Sequence, residues 1–290
     1  MKFSETINGY NAMGSEDAEY EAYYELAERH PIGGLHCHDF YELYIHYRGG
    51  KLYYVDGKVF PLQPNQLIIM PPFRMHGLVG GNELHDYERG FLYLRPATLQ
   101  KLGFGQIDLQ RYLACRTQKG LFYYEMPPKD AEICKKLLID ISANMDSTDE
   151  MTQFRNYGRI VDYLAFVCQV ASQENVLPSA PAENNEVIFD VLQYINGHFT
   201  EPLKLEEIAR RFAISVSYLS HEFTRYAGRS VYEYILYRRV QLAKENLLKE
   251  MSLSEVADRS GFGDYSGFLR SFRRMTGMSP NAYRKQRNGQ

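Results

Sequence analysis

The sequence predicts a two-domain α+β protein: an N-terminal antiparallel β-barrel or sandwich flanked by helices, then an all-α domain of two helix-turn-helix units. Three observations predict it. The apolar period lengthens near residue 127, a polar stretch with two prolines interrupts all periodicity at 173–186, and a segment beyond residue 200 recurs 48 to 49 positions later. A chain of 290 residues can bury two separate cores.

The first expected unit is residues 1–126. Runs such as YELYIHY (41–47), KLYYV (51–55) and QLIIMP (66–71) alternate or run apolar between Gly, Pro and Asn, the pattern of short strands. Gly49-Gly50 and Asp56-Gly57 have the composition of hairpin turns. From 127 to 172 the apolar residues fall at helical spacing: Ile133, Leu137, Leu138 and Ile141, then Phe154, Tyr157, Val161, Leu164 and Cys168. Two helices are expected there, packed on the strands, with a second copy of the chain as the other surface their apolar faces could meet. Residues 173–186 read as a linker and 187–290 as the second domain.

In that domain LEEIARRFAIS (205–215) aligns with LSEVADRSGFG (253–263), and LSHEFTRYAG (219–228) with FLRSFRRMTG (268–277). Each copy reads as helix, tight turn, helix. Leu205, Ile208, Ala209 and Phe212 form the stripe of one first helix and Leu253, Val256 and Ala257 that of the other; Leu219, Phe223, Phe268 and Phe272 anchor the second helices. Ser252 with Glu255 predicts a capping box, Gly228 and Gly277 predict left-handed C-caps, and Ser279-Pro280 starts a last helix. Residues 231–249 read as one helix of roughly 28 Å at 1.5 Å per residue, a spacer close to one turn of duplex.

Composition narrows the function classes. Residues 185–290 carry 16 Lys/Arg against 12 Asp/Glu, and residues 1–184 carry 17 against 24, so net charges of +4 and −7 lie behind the overall −3. The basic C-terminal part suits a polyanion. The polar, acidic N-terminus and the lack of a long apolar run predict neither signal peptide nor membrane span, hence a cytoplasmic protein. Cys37, Cys115, Cys134 and Cys168 show no paired spacing and are expected as free thiols. No nucleophile triad, P-loop or dinucleotide fingerprint is present.

The stretch EVADRSGFGDYSGFLRSFRRMTGMSPNAYRK (255–285), with LEEIARRFAISVSYLSHEFTRYAG (205–228), resembles the paired helix-turn-helix domain of AraC-type transcription regulators. The resemblance implies double-stranded DNA as partner, RNA polymerase as a further one, and a homodimer. It places base contacts at Val216, Ser217, Ser220 and His221 in the first unit, with Arg225 nearer the backbone, and at Tyr265, Ser266, Leu269 and Arg270 in the second, with Arg273 and Arg274 on phosphates. His221 stands where Arg is common, and imidazole lacks the guanidinium fork for guanine. Gly267 replaces a usual aromatic, which would loosen the helix start.

His36-Cys-His38-Asp-Phe-Tyr-Glu42 and the later Pro72-x-x-x-His76 resemble the two motifs of the cupin fold, in whose metal-binding members the positions of His36, His38, Glu42 and His76 hold a divalent ion. The same residues are equally explained as a polar network inside a barrel. With Tyr44 and His46 they form the expected effector site. The aromatics Phe40, Tyr41, Tyr44, Tyr47, Tyr53, Tyr54, Tyr87 and Tyr93 suit a sugar, while Arg48, Arg74 or Arg89 would suit an acid.

The expected function is a DNA-binding regulator controlled by a small molecule, without catalysis. The alternatives are a metal-dependent cupin enzyme carrying a DNA-binding tail, and a constitutive DNA binder whose β domain serves only assembly.

Overall fold

The computed structural model describes residues 6–7, 10–11, 18–32, 34–50, 52–56, 58–80, 83–117, 122–173 and 186–287. The expected linker falls almost wholly outside the described residues, as does Gly57. The chain divides into two compact units, residues up to 181 apart from 56–58, and residues from 182 onward with 56–58. Among the described residues no helix is long and apolar enough to cross a membrane.

The N-terminal unit is β-rich. After a short ribbon of β1 (Thr6–Ile7) and β2 (Tyr10–Asn11) come β3 (Tyr20–Pro31), β4 (Tyr41–Arg48), β5 (Leu52–Val55), β6 (Lys58–Pro61), β7 (Gln66–Met70), β8 (His76–Val79), β9 (Glu83–Leu94) and β10 (Tyr123–Glu125). They build a five-stranded sheet in the order β10-β7-β4-β9-β3 and a three-stranded sheet in the order β6-β5-β8. The expected Gly49-Gly50 hairpin is corrected here. β4 and β5 lie in different sheets, so the glycines carry the chain across; Gly49 takes φ +80° close against the Asp86 carbonyl, where no side chain fits.

Alternation on β4 sorts its residues between two cores. Tyr44 joins Phe40, Tyr53, Tyr87, Phe91 and Tyr93 in a cluster between the sheets. Tyr41, Leu43, Ile45 and Tyr47 turn the other way, onto α1 (Pro96–Leu102), α2 (Leu109–Thr117), α3 (Pro128–Ala143) and α4 (Glu150–Ser172). Both faces are thus covered, which is why β4 reads as a nearly continuous buried run.

Helices α1 and α2 were expected as part of the strand region. They span 7 and 9 residues, too few turns to display a helical period, and only Pro96 at the start of α1 marks them. The face of α4 also differs from expectation. Its buried side is Asn156, Ile160, Tyr163, Leu164, Val167, Val170 and Ala171, whereas Phe154 is 72% exposed. The polar groups on the buried side have partners: the Tyr163 hydroxyl donates to the Leu43 carbonyl at 3.1 Å and the Asn156 amide to that of Ile141 at 3.3 Å.

The C-terminal unit is all-helical: α5 (Glu186–His198), α6 (Leu205–Arg211), α7 (Val216–Ala227), α8 (Val231–Leu247), α9 (Leu253–Arg259), α10 (Tyr265–Thr276) and α11 (Pro280–Arg287). Val240, Ala243 and Leu247 of α8 pack with Val256, Ala257, Phe268, Phe272 and Tyr283 in one core. Full burial of each phenylalanine contributes about 1.5–3 kcal/mol. In the first half Phe223 meets Tyr234 of α8 edge-on, ring centroids 5.3 Å apart. The expected caps are present. Ser252 and Glu255 form a reciprocal capping box, as do Ser230 and Glu233, and Gly228 and Gly277 close α7 and α10 at φ +71° and +77°.

Candidate functional site

The two helix-turn-helix units share one turn geometry. In the first, Phe212, Ala213 and Ile214 N–H donate to Ile208, Arg210 and Ala209 carbonyls; in the second, Ser260, Gly261 and Phe262 donate to Val256, Asp258 and Ala257. The pattern repeats bond for bond with a shift of 48, so both second helices leave their turns alike.

Inward anchoring decides what each second helix presents. On α7, Leu219, Phe223 and Ala227 are buried while Val216, Ser217, His221 and Arg225 are exposed and Ser220 is half-buried. On α10, Phe268 and Phe272 are buried and Tyr265, Ser266, Arg270, Arg273 and Arg274 are exposed. Leu269 departs from its expected outward position: it is half-buried against the core of Phe268 and Phe272. Gly267 does not loosen the start of α10. The Asp264 carboxylate accepts from Gly267 N–H, and a Cβ at 267 would come within 2.5 Å of that carboxylate, so glycine makes room for the cap.

Sequence reasoning missed Glu222. It is 8% exposed, yet its carboxylate accepts from His221 Nδ1 at 2.9 Å and from Arg225 Nη1 at 3.2 Å. The signal was available in part, since Glu222 and Arg225 are three apart on a helix.

In the N-terminal unit the structure brings His36, His38, Glu42 and His76 together, with one donor atom of each within 4.8 Å of the others. Strand geometry does this. His36 and His76 form an isolated bridge with mutual backbone bonds of 2.9 Å, and Glu42 projects from β4. Glu42 Oε2 lies 3.0 Å from Nε2 of both His38 and His76.

The far side of each ring is also held. Nδ1 of His38 lies 2.9 Å from the Phe40 carbonyl and Nδ1 of His76 2.8 Å from that of Arg74, with His36 Nδ1 3.4 Å from that of Gly34. A carbonyl only accepts, so the ring proton sits on Nδ1 and Nε2 of a neutral imidazole is a lone pair. Burial pushes the His36 and His38 imidazoles below their usual value and favours that neutral form. Burial raises Glu42, but a proton donated from Nε2 of His38 or His76 outweighs it and holds the carboxyl well below its usual range. Lone pairs of imidazoles and carboxylate therefore converge on one point, which only a cation, a proton or a metal ion, reconciles. Three imidazole nitrogens and a carboxylate with backbone-held rings fit a divalent transition metal.

The other expected effector residues line the same interior. Tyr44 and Tyr87 hydroxyls are 2.6 Å apart. His46 Nε2 accepts from Gly50 N–H at 3.3 Å, while its buried Nδ1 finds no partner among the described residues. Of the three arginines, Arg48 pairs with Glu88 and is exposed, Arg74 is exposed, and Arg89 stacks over Tyr87 and Phe91 with its Nε donating to Glu25 at 2.9 Å.

Comparison with known proteins matches an AraC-like ligand binding domain over residues 21–139 and a helix-turn-helix domain over residues 208–286. The chain is 33% identical over 131 residues to the uncharacterized HTH-type transcriptional regulator YdiP of Escherichia coli (strain K12), covering 43% of each chain. The match therefore spans less than half the length of that relative. It is 24% identical over 279 residues to the uncharacterized HTH-type transcriptional regulator YfiF of Bacillus subtilis (strain 168), covering 91% of this chain and 83% of the other. The solved C-terminal domain of AraT, a response regulator from Geobacillus stearothermophilus, is 31% identical, with a TM-score of 0.35 over 36% of this chain and 88% of that one. The chain thus matches an AraC-like ligand binding domain followed in tandem by a helix-turn-helix domain, the two-part organisation that the resemblance to AraC-type regulators implies.

Proposed function

We propose that the protein is a cytoplasmic transcription regulator that binds duplex DNA through α7 and α10 and answers to a small molecule held between the sheets of its N-terminal unit. One observation carries the DNA reading. Two second helices with the same turn and anchors present exposed polar and basic faces, joined through the 17-residue α8. The matched families are those of regulators and lend the enzyme alternative no support.

Arg270 reads base edges, with Val216, Ser217, Ser220, His221, Tyr265 and Ser266 completing the surface, and Arg225, Arg273 and Arg274 meet phosphates. Selection of bound duplexes from a random pool tests this; recovery of no enriched sequence overturns it.

For the effector, His36, His38, Glu42 and His76 hold a divalent metal, supported by their convergent lone pairs. When bound, the metal supplies a Lewis-acid anchor for an oxygen of the effector. Tyr44, His46 and the surrounding aromatics then receive a hydroxylated body of sugar type. An effector acts only if it binds two states of the protein unequally.

The exposed side of α4 receives a second copy of the chain. Phe154 lines an open cavity of about 990 Å³ together with Leu102, Phe104, Tyr157 and Val161, which the partner's copy of this ring can enter. Gly158 leaves open space for close approach, and Arg155 and Asp162 on the same face can pair across a two-fold. Light scattering of the wild type and Phe154→Glu tests the dimer; an unchanged mass for the two rules this face out.

A further inference from the structure

We infer that Glu222 fixes His221 as a hydrogen-bond acceptor, so that the first helix-turn-helix unit selects a base carrying an amino group, cytosine or adenine, where the second selects guanine. The inference rests on the DNA-binding reading above and names the base chemistry of one of its contacts.

His221 lies on the exposed face of α7 with its side chain 77% exposed. Its Nδ1 is 2.9 Å from Glu222 Oε1. A carboxylate only accepts, so Nδ1 carries the proton, and in neutral imidazole the outward Nε2 is then a lone pair. Nε2 has no partner among the described residues. The carboxylate cannot readily turn away, because it is buried and its other oxygen accepts from Arg225 at 3.2 Å.

In the major groove an acceptor finds donors on cytosine N4 and adenine N6, whereas guanine presents only N7 and O6 and thymine O4, all acceptors that repel it. The repeat sharpens the contrast. The shift of 49 that aligns Leu219 with Phe268 aligns His221 with Arg270 and Glu222 with Ser271. The second unit thus offers a guanidinium with no neighbouring carboxylate in the Glu222 position, a donor group suited to guanine. The same place on two copies of one motif presents opposite hydrogen-bonding character to the duplex.

The test selects duplexes from a random pool with the full chain at pH 8, where imidazoles in water are uncharged. It compares wild type with His221→Ala, His221→Arg, Glu222→Ala and Glu222→Gln, each first checked for its thermal transition. The position whose preference changes in His221→Ala lies under α7. There the wild type should favour cytosine or adenine about tenfold over guanine, the worth of one made against one frustrated hydrogen bond. His221→Arg should move the preference to guanine. Glu222→Gln keeps the volume but lets the ring take either tautomer, so it should level that position and leave the rest of the operator unchanged; Glu222→Ala should do the same.

Guanine at that position in the wild type, or an unaltered preference in both Glu222 variants, overturns the inference while the DNA-binding reading stands. Equal loss across all sequences in His221→Ala does so too. Failure to enrich any sequence overturns both.

Discussion

Ala213 and Gly261 occupy the same turn in the two copies, at φ +54° and +81°, and exchanging their residue types should have opposite effects. The left-handed region costs an L-residue about 1–2 kcal/mol, and glycine gives back about 0.5–1 kcal/mol through the freedom it loses on folding. Ala213→Gly should therefore stabilise the helical unit by about 0.5–1 kcal/mol. For Gly261→Ala the backbone term is joined by a steric one, since the new Cβ would sit 2.5 Å from Thr200 Cα and 2.6 Å from its carbonyl oxygen. Overpacking of this kind costs about 1–3 kcal/mol, which with the same net backbone difference gives a total loss of about 1.5–4 kcal/mol. Calorimetry of the full chain, following the transition of the C-terminal unit, measures both; with about 4–8 °C per kcal/mol for a unit of this size, the two variants should differ by at least about 8 °C. Equal shifts, or destabilisation by Ala213→Gly, would refute the claim that backbone strain in these turns sets their cost.

Arg270→Ala should relax base preference at one position, whereas Arg274→Ala should weaken all duplexes alike and lower the slope of log affinity against log salt by about one; equal losses on selected and random duplex in Arg270→Ala count against its assignment. Burial pushes the His46 imidazole down to about 4 from its usual 6.5, with Glu88 offsetting a part. The unfolded chain then takes up this proton first, so stability is full above pH 6.5 and falls as the pH drops towards 4, by about 3 kcal/mol in all. His46→Gln should flatten urea-denaturation midpoints across that window, and an unchanged pH slope would exclude the group. Protein purified without added metal should hold near one equivalent of a divalent transition metal by elemental analysis, and chelation should lower Tm, metal at a hundred times its Kd being worth about 2.7 kcal/mol. Glu42→Gln and His38→Ala should empty the site; metal content near zero in the wild type, with no effect of chelator, speaks against it.

The helical half was legible because its information is local. Leu219 and Phe223, Phe268 and Phe272, and the caps at Ser252, Gly228 and Gly277 act within one or two turns, at spacings the backbone imposes. The strand half was legible only as strands. That Gly49-Gly50 joins two sheets rather than one hairpin depends on which faces of β4 are covered, and both are. The outward side of α4 was misread for a related reason: Asn156 and Tyr163 look polar in sequence, yet Ile141 and Leu43 carbonyls satisfy them inside.

Residue types and spacings were enough to establish the twin helix-turn-helix units and to nominate His36, His38, Glu42 and His76, because helix period and motif are properties of a short length of chain. Folding alone brings His76 against Glu42, 34 residues away, turns three Nδ1 atoms toward backbone carbonyls, and sets the Glu222 carboxylate on His221. Those outcomes depend on strand register, rotamer and burial, which arise when distant segments exclude water from one another and have no counterpart in the linear order of residues.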